Sequence, residues 1–139
     1  RARDEPADAL AGSVVVVIDD EKAVRDGMRE VLGHWQCRVV DAGSAAEALA
    51  ALDAAGLQPS VAVVDYRLRD GETGFTAVAA LRARFGPRLP ALLVSGDVGA
   101  DLFQLAREAG LLLLTKPVRT ARLRAAIAHY LRRNAAVRP

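Results

Sequence analysis

Short apolar runs, each stopping at a polar or charged residue, limit what this chain can fold into more than any other feature. VVVVI (14–18), VAVV (61–64), ALLV (91–94) and LLLL (111–114) are unbroken, the pattern of strands covered on both faces, as in parallel sheets. CRVVD (37–41) reads as a further short strand, with Cys37 a small buried hydrophobe at its start. Between the runs, apolar residues recur at helical spacing. Val24, Met28, Val31 and Leu32 mark a helix from Glu21 to about Gly33, with Trp35 a hydrophobic anchor at its end. Ser44 opens a second helix with Glu47 three residues on, the capping-box pattern, and Ala48, Leu49 and Leu52 form its apolar face. After a loop RDGETG (69–74), Phe75, Val78, Ala79 and Leu81 mark a third helix that Gly86 and Pro87 end. Asp101 to Ala109 is a fourth, stopped by Gly110, and Thr120 to Arg132 a fifth, with Leu123, Ile127, Tyr130 and Leu131 inward. No hairpin signal joins two strands, so each return crosses through a helix. Right-handed crossovers then make a doubly wound α/β domain: five parallel strands with five helices on both faces.

A chain of 139 residues fits one domain, and 52% hydrophobic residues with only 4% aromatics suits helices packed on a Val-rich sheet. The runs fall far short of the roughly 20 residues a membrane span needs, and no signal peptide is visible, so no membrane contact is expected. The single cysteine, Cys37, excludes an internal disulfide and agrees with a reducing, cytoplasmic setting. A net charge of +2 does not indicate nucleic-acid binding, although Arg132, Arg133 and Arg138 make the C-terminus locally basic, in keeping with a helix end. The opening RARDEPADALAG is polar, carries Pro6 and shows no apolar period before Val14. Residues 1–13 are therefore expected to be a linker or N-terminal extension, 14–133 the domain and 134–139 a tail. Because the first residue is Arg1, the expectation is a domain cut from a longer protein or one lacking a tag or disordered start; the sequence leaves both open.

The polar residues that stop the strands carry the chemistry. The first strand ends in Asp19 and Asp20, the third in Asp65, the fourth in Ser95 and the fifth in Lys116. In a parallel sheet these ends share the carboxyl edge, where open α/β sheets bind ligands. Three carboxylates gathered there would repel one another without a cation, and all-oxygen ligation points to Mg²⁺. A lysine adds a movable point charge suited to a phosphoryl oxygen, and Asp65 is a nucleophile that needs no general base.

The fragments IDDE, VVDYRL, LLVSGD and LTKPV, each at the end of a different strand, resemble the receiver domains of bacterial two-component response regulators over residues 14 to about 132. The resemblance implies a flavodoxin-like fold with strand order 2-1-3-4-5. It implies a phosphorelay role in which Asp65 takes a phosphoryl group from a phosphohistidine of a histidine kinase or histidine phosphotransfer domain. Asp20 and Asp65 would bind Mg²⁺ directly, Asp19 mostly through water, and the Arg67 backbone carbonyl would complete the protein ligands. Ser95 and Lys116 would contact the acyl phosphate, the domain would catalyse its own phosphorylation and dephosphorylation, and the Lys116–Pro117 bond would be cis. The fragments WQC, DYRL and TKPV are most like receivers of hybrid sensor histidine kinases, which favours such a parent; a separate regulator or a stand-alone receiver stays open. The chain departs from the family in having Leu113 where an aromatic switch residue is common and Arg69 where a proline is frequent.

Taken singly, the same residues have plainer readings. Asp19 and Asp20 could form a solvated strand-to-helix turn with Asp20 as N-cap, Ser95 with Gly96 and Asp97 a turn, and Lys116 a solvated lysine. His34 and His129 lack a second ligand at metal spacing and read as structural or surface residues. A haloacid-dehalogenase-like phosphatase would need a second aspartate two residues after the nucleophile, where Arg67 stands. A phosphorylation-independent interaction module would keep the sheet and lose the acidic residues, and a dinucleotide binder would need a G-x-G-x-x-G after the first strand.

Overall fold

The computed structural model describes residues 10–96 and 99–137, with side chains described as far as Arg133. Most of the N-terminal stretch expected to be a linker, Asp97 of the Ser95 turn, and Arg138 and Pro139 of the expected tail lie outside these limits. The described elements are β1 (Val14–Ile18), α1 (Lys22–His34), β2 (Arg38–Ala42), α2 (Ala45–Ala55) and β3 (Val61–Asp65). They continue with a 3₁₀ turn (Arg69–Gly71), α3 (Gly74–Phe85), β4 (Ala91–Ser95), α4 (Ala100–Glu108), β5 (Leu112–Thr115) and α5 (Thr120–Val137). All strand pairs are parallel, in the order β2-β1-β3-β4-β5. The doubly wound, flavodoxin-like sheet of order 2-1-3-4-5 is therefore what the chain forms.

Successive strand residues point to opposite faces, and this parity builds two cores. Val16, Ile18, Ala62, Val64, Ala91 and Leu93 face Ala48 and Leu52 of α2, Val78 and Leu81 of α3, and Leu102 of α4. Val15, Val17, Val61, Val63, Leu92 and Val94 face Leu32 of α1 and Leu123 and Ile127 of α5. Full burial of one such side chain is worth about 1.5–3 kcal/mol, so the three central strands anchor the fold. Leu10 joins the second core, fully buried, and Gly12 N–H donates to Gln36 O at 2.8 Å, so packing begins before Val14.

Several local expectations need correction. In α3 the buried positions are Gly74, Ala77, Val78 and Leu81, while Ala79 faces solvent. β5 is an edge strand, and Leu112 is 40% exposed despite the unbroken leucine run. Cys37 is half-buried and lies just before β2, its thiol between Ser13 Oγ at 3.7 Å and Leu10 O at 3.6 Å. Trp35 keeps its expected place as an anchor at the helix end: it is the C-cap of α1 and packs against the second core, with Arg124 over its ring at 5.6 Å. Ser44 caps α2 by accepting from Glu47 N, but the Glu47 carboxylate accepts from Gly43 N at 3.0 Å instead of closing the box on Ser44. The full reciprocal box is at Thr73 and Thr76, starting α3. α5 runs beyond Arg132 to Val137.

Candidate functional site

β1, β3, β4 and β5 end side by side, with Asp65 paired to Val94 and Ser95 to Thr115 across the ladders. That register brings Asp19, Asp20, Asp65, Ser95 and Lys116 to one edge. Carboxylate oxygens of Asp19, Asp20 and Asp65 lie within 4.8 Å of one another. Asp19 and Asp65 are buried, at 4% and 8% exposure, and Ser95 is buried at 2%, so this edge is a pocket and not a solvated turn.

Each acidic group is held by its own element. Asp19 N–H donates to Ala42 O at 3.1 Å, and Asp19 Oδ1 accepts from Glu21 N at 2.9 Å. Glu21, not Asp20, is the N-cap of α1, which leaves the Asp20 carboxylate facing the pocket. Arg25 of α1 donates to the Asp19 carbonyl at 2.7 Å and to Asp41 at 3.0 Å, tying the β1–α1 turn to the end of β2. Lys116 Nζ lies 3.1 Å from Asp65 Oδ1, its backbone N–H donates to Ser95 O at 2.8 Å, and the Lys116–Pro117 peptide is cis.

Burial pushes the Asp65 carboxyl above the ordinary range, and the nearby Asp20 charge adds to it, outweighing the hydrogen bond from Lys116. Burial likewise raises Asp19, with the Asp65 charge adding and the Glu21 N–H opposing. For Lys116 burial pulls downward, but the Asp65 hydrogen bond and the charges of Asp65 and Asp19 win, and the ammonium is held above its usual value. Burial, more than like charge, raises the two acids, and the acidic neighbours hold the proton on Lys116. Three clustered carboxylates supply hard oxygen donors, so the residues fit a hard divalent cation.

Two residues of the site carry no obvious signal in the sequence. Gly74, the first residue of α3, presses against the end of β3: its N–H donates to Tyr66 O at 2.7 Å, and a Cβ there would lie 2.7 Å from Asp65 O and 2.3 Å from Leu93 Cδ1. It reads locally as one more loop glycine. Arg69 reaches back to Asp20, donating to its carbonyl at 3.2 Å with Nε 3.7 Å from Oδ2. Arg67, two residues after Asp65, is exposed and forms an antiparallel bridge with Thr73, which closes the loop into α3. His34 and His129 are both exposed, away from the acidic edge. Beside the acids, a groove of about 680 Å³ runs between α1 and the start of α5 and reaches Asp65 and Lys116. Ala23, Val24, Gly27, Met28 and Val31 form its α1 wall.

A family model described as "Response regulator receiver domain" matches residues 15–128. No curated protein sequence matches the chain. Among solved structures, a response regulator receiver domain protein from Clostridium thermocellum superposes with a TM-score of 0.80 at 22% identity, covering 91% of this chain and 99% of its own. A CheY-like receiver domain protein from Methanospirillum hungatei JF-1 gives 0.78 at 21% identity, covering 91% and 98%. The Vibrio cholerae chemotaxis protein CheY4 gives 0.71 at 24% identity, covering 88% and 98%.

Proposed function

This chain belongs to the response-regulator receiver family, and from that premise we propose that it is a phosphoacceptor in a two-component phosphorelay, with Asp65 the acceptor. The observation that carries the reading is the placement of Asp65 at the end of β3, with the Lys116 ammonium at 3.1 Å and two further carboxylates within 4.8 Å. A carboxylate oxygen of Asp65 attacks the phosphorus of a phosphohistidine. The P–N bond breaks with its electron pair going to the imidazole nitrogen, and the new P–O bond makes an acyl phosphate. The Lys116 ammonium moves onto a phosphoryl oxygen, keeping its proton throughout, and the Ser95 hydroxyl at the neighbouring strand end donates to another. Asp19, Asp20, Asp65 and the Arg67 carbonyl would hold Mg²⁺, which when bound supplies positive charge against the phosphoryl oxygens. Most of the rate comes from positioning and electrostatics, so small acyl phosphates also serve as donors.

The donor protein is a histidine kinase or a histidine phosphotransfer domain. The groove beside α1 supports this, since it leaves an approach to Asp65 that an imidazole on a partner's helix can use. A hybrid kinase as parent agrees with the fragments around Trp35, Tyr66 and Lys116. Among the described residues no helix is long and apolar enough to cross a membrane. The phosphatase alternative has no support at Arg67, where its second aspartate would stand.

Intact mass after incubation with acetyl phosphate and Mg²⁺ tests the proposal. The wild-type chain should gain one phosphoryl group and Asp65→Asn none; continued labelling of that variant would move the chemistry to another residue.

A further inference from the structure

Two of the pocket's three carboxylates each have a cation beside them, brought by different loops. Lys116, from the β5–α5 loop, sits on Asp65. Arg69, from the β3–α3 loop, sits on Asp20: its Nη2 donates to the Asp20 carbonyl at 3.2 Å, and its Nε lies 3.7 Å from Oδ2. Arg69 stands on a short, tightly turned segment. Arg69 opens the 3₁₀ turn Arg69–Gly71, whose second residue, Asp70, is left-handed with φ 60°, and the turn closes when Glu72 N–H donates to Arg69 O at 3.1 Å. The guanidinium lies on the open side of the pocket, where Asp20 is the most accessible of the three acids, with its side chain 26% exposed.

Lys116 and Arg69 stand differently toward an incoming cation. Lys116 is bonded to the Asp65 carboxylate at 3.1 Å, whereas Arg69 hydrogen-bonds the Asp20 carbonyl and leaves its guanidinium 3.7 Å from the carboxylate, where an ion at Asp20 would meet it. We infer that Arg69 is a built-in counter-ion of Asp20 and competes with the divalent cation for that carboxylate, so that the chain binds Mg²⁺ more weakly than the same pocket would without it. The inference rests on the metal-assisted function proposed above. An ion that takes an Asp20 oxygen has to share it with the guanidinium or displace it, and the two positive charges repel at short range. Arg67, whose carbonyl is a proposed ligand, lies two residues away on the same loop. The Arg69 side chain is 74% exposed, so the competition is partly screened and weakens with salt.

Calorimetric titration of the full chain with MgCl₂ alone, at low salt and at about 0.5 M salt, measures this directly. Arg69→Gln should bind Mg²⁺ about two- to fivefold more tightly than wild type at low salt, with the gap closing at high salt. Arg69→Lys, which keeps the charge, should stay nearer to wild type. Arg84→Gln should match wild type, because Arg84 pairs with Asp53 at the ends of α3 and α2, away from the acids, and controls for the lost net charge. Equal or weaker binding by Arg69→Gln, with wild type still binding, would overturn the inference while leaving the receiver reading intact. Absence of Mg²⁺ binding in wild type and variants alike would instead remove the metal site on which both depend.

Discussion

Gly74→Ala and Gly27→Ala make the same chemical change in two helices of this chain, and the structure assigns them opposite signs. At Gly74 the added methyl would lie 2.7 Å from the Asp65 carbonyl, 3.2 Å from Tyr66 Cα and 2.3 Å from Leu93 Cδ1. Leu93 is fully buried in the first core, and the other two neighbours are backbone, so no rotamer change relieves the clash. Either α3 lifts, stretching the 2.7 Å bond from Gly74 N–H to Tyr66 O, or the end of β3 bends. Overpacking of this kind costs about 1–3 kcal/mol, against about 0.5–1 kcal/mol gained from replacing glycine in a helix. The net expectation is a loss of about 1–2 kcal/mol, with Asp65 displaced. Gly27, inside α1, has nothing within 4 Å of its missing Cβ, so only the helix term acts there and the variant should gain about 0.5–1 kcal/mol. Urea unfolding of both variants beside wild type gives the two signs. Acetyl phosphate labelling should then be slowed in Gly74→Ala and unchanged in Gly27→Ala. A Gly74→Ala protein as stable as wild type and equally quick to label would refute the idea that helix α3 sets the position of the acceptor.

Two further predictions concern the rest of the domain. Asp41, held by Arg25 Nε at 3.0 Å and Arg29 Nε at 3.1 Å, is lowered below the model-peptide value of 3.8, because those hydrogen bonds outweigh the opposing effect of burial. A folded-state value below the unfolded one stabilises the protein above the unfolded value and is lost as pH falls through the folded one. Asp41→Asn should therefore cost about 1–2 kcal/mol at neutral pH and progressively less below about pH 4; a gap that widens on acidification would contradict the assignment. Leu113 is already buried, at 8% exposure, and has no polar tip to swing outward. A beryllofluoride mimic at Asp65 should therefore produce only modest NMR shifts over residues 100–130, a coupling of about 1 kcal/mol. Large shifts there, or mimic-induced dimerisation, would show that another group transmits the signal.

Much of the fold is local information. A run such as Val61 to Val64, short and rich in β-branched residues, reads as a strand buried on both faces, and the helical spacing of Val78 and Leu81 survives in the packing because period dictates which face an element buries. The convergence of Asp19, Asp65, Ser95 and Lys116 was also legible, since parallel strands send all their carboxyl ends to one edge. Period says nothing, however, about who the neighbour is. Leu112 and Leu93 sit in similar apolar runs, yet one is 40% exposed and the other fully buried, because β5 has a strand on one side only. Ala79 and Ala77 are equally apolar, and only the docking of α3 on the sheet decided that Ala77 is covered. Glu47 was correctly placed to cap a helix, but the backbone it reached was Gly43, one residue short of the expected partner. Gly74 and Arg69 were the least legible. The need for glycine comes from the Asp65 carbonyl and Leu93 meeting at one point, and the Arg69 contact spans 49 residues through a long side chain. Sequence periodicity determined the elements and the edge on which the polar residues gather; contacts between elements, which depend on how closely backbones approach and where long side chains end, were decided only by the tertiary structure.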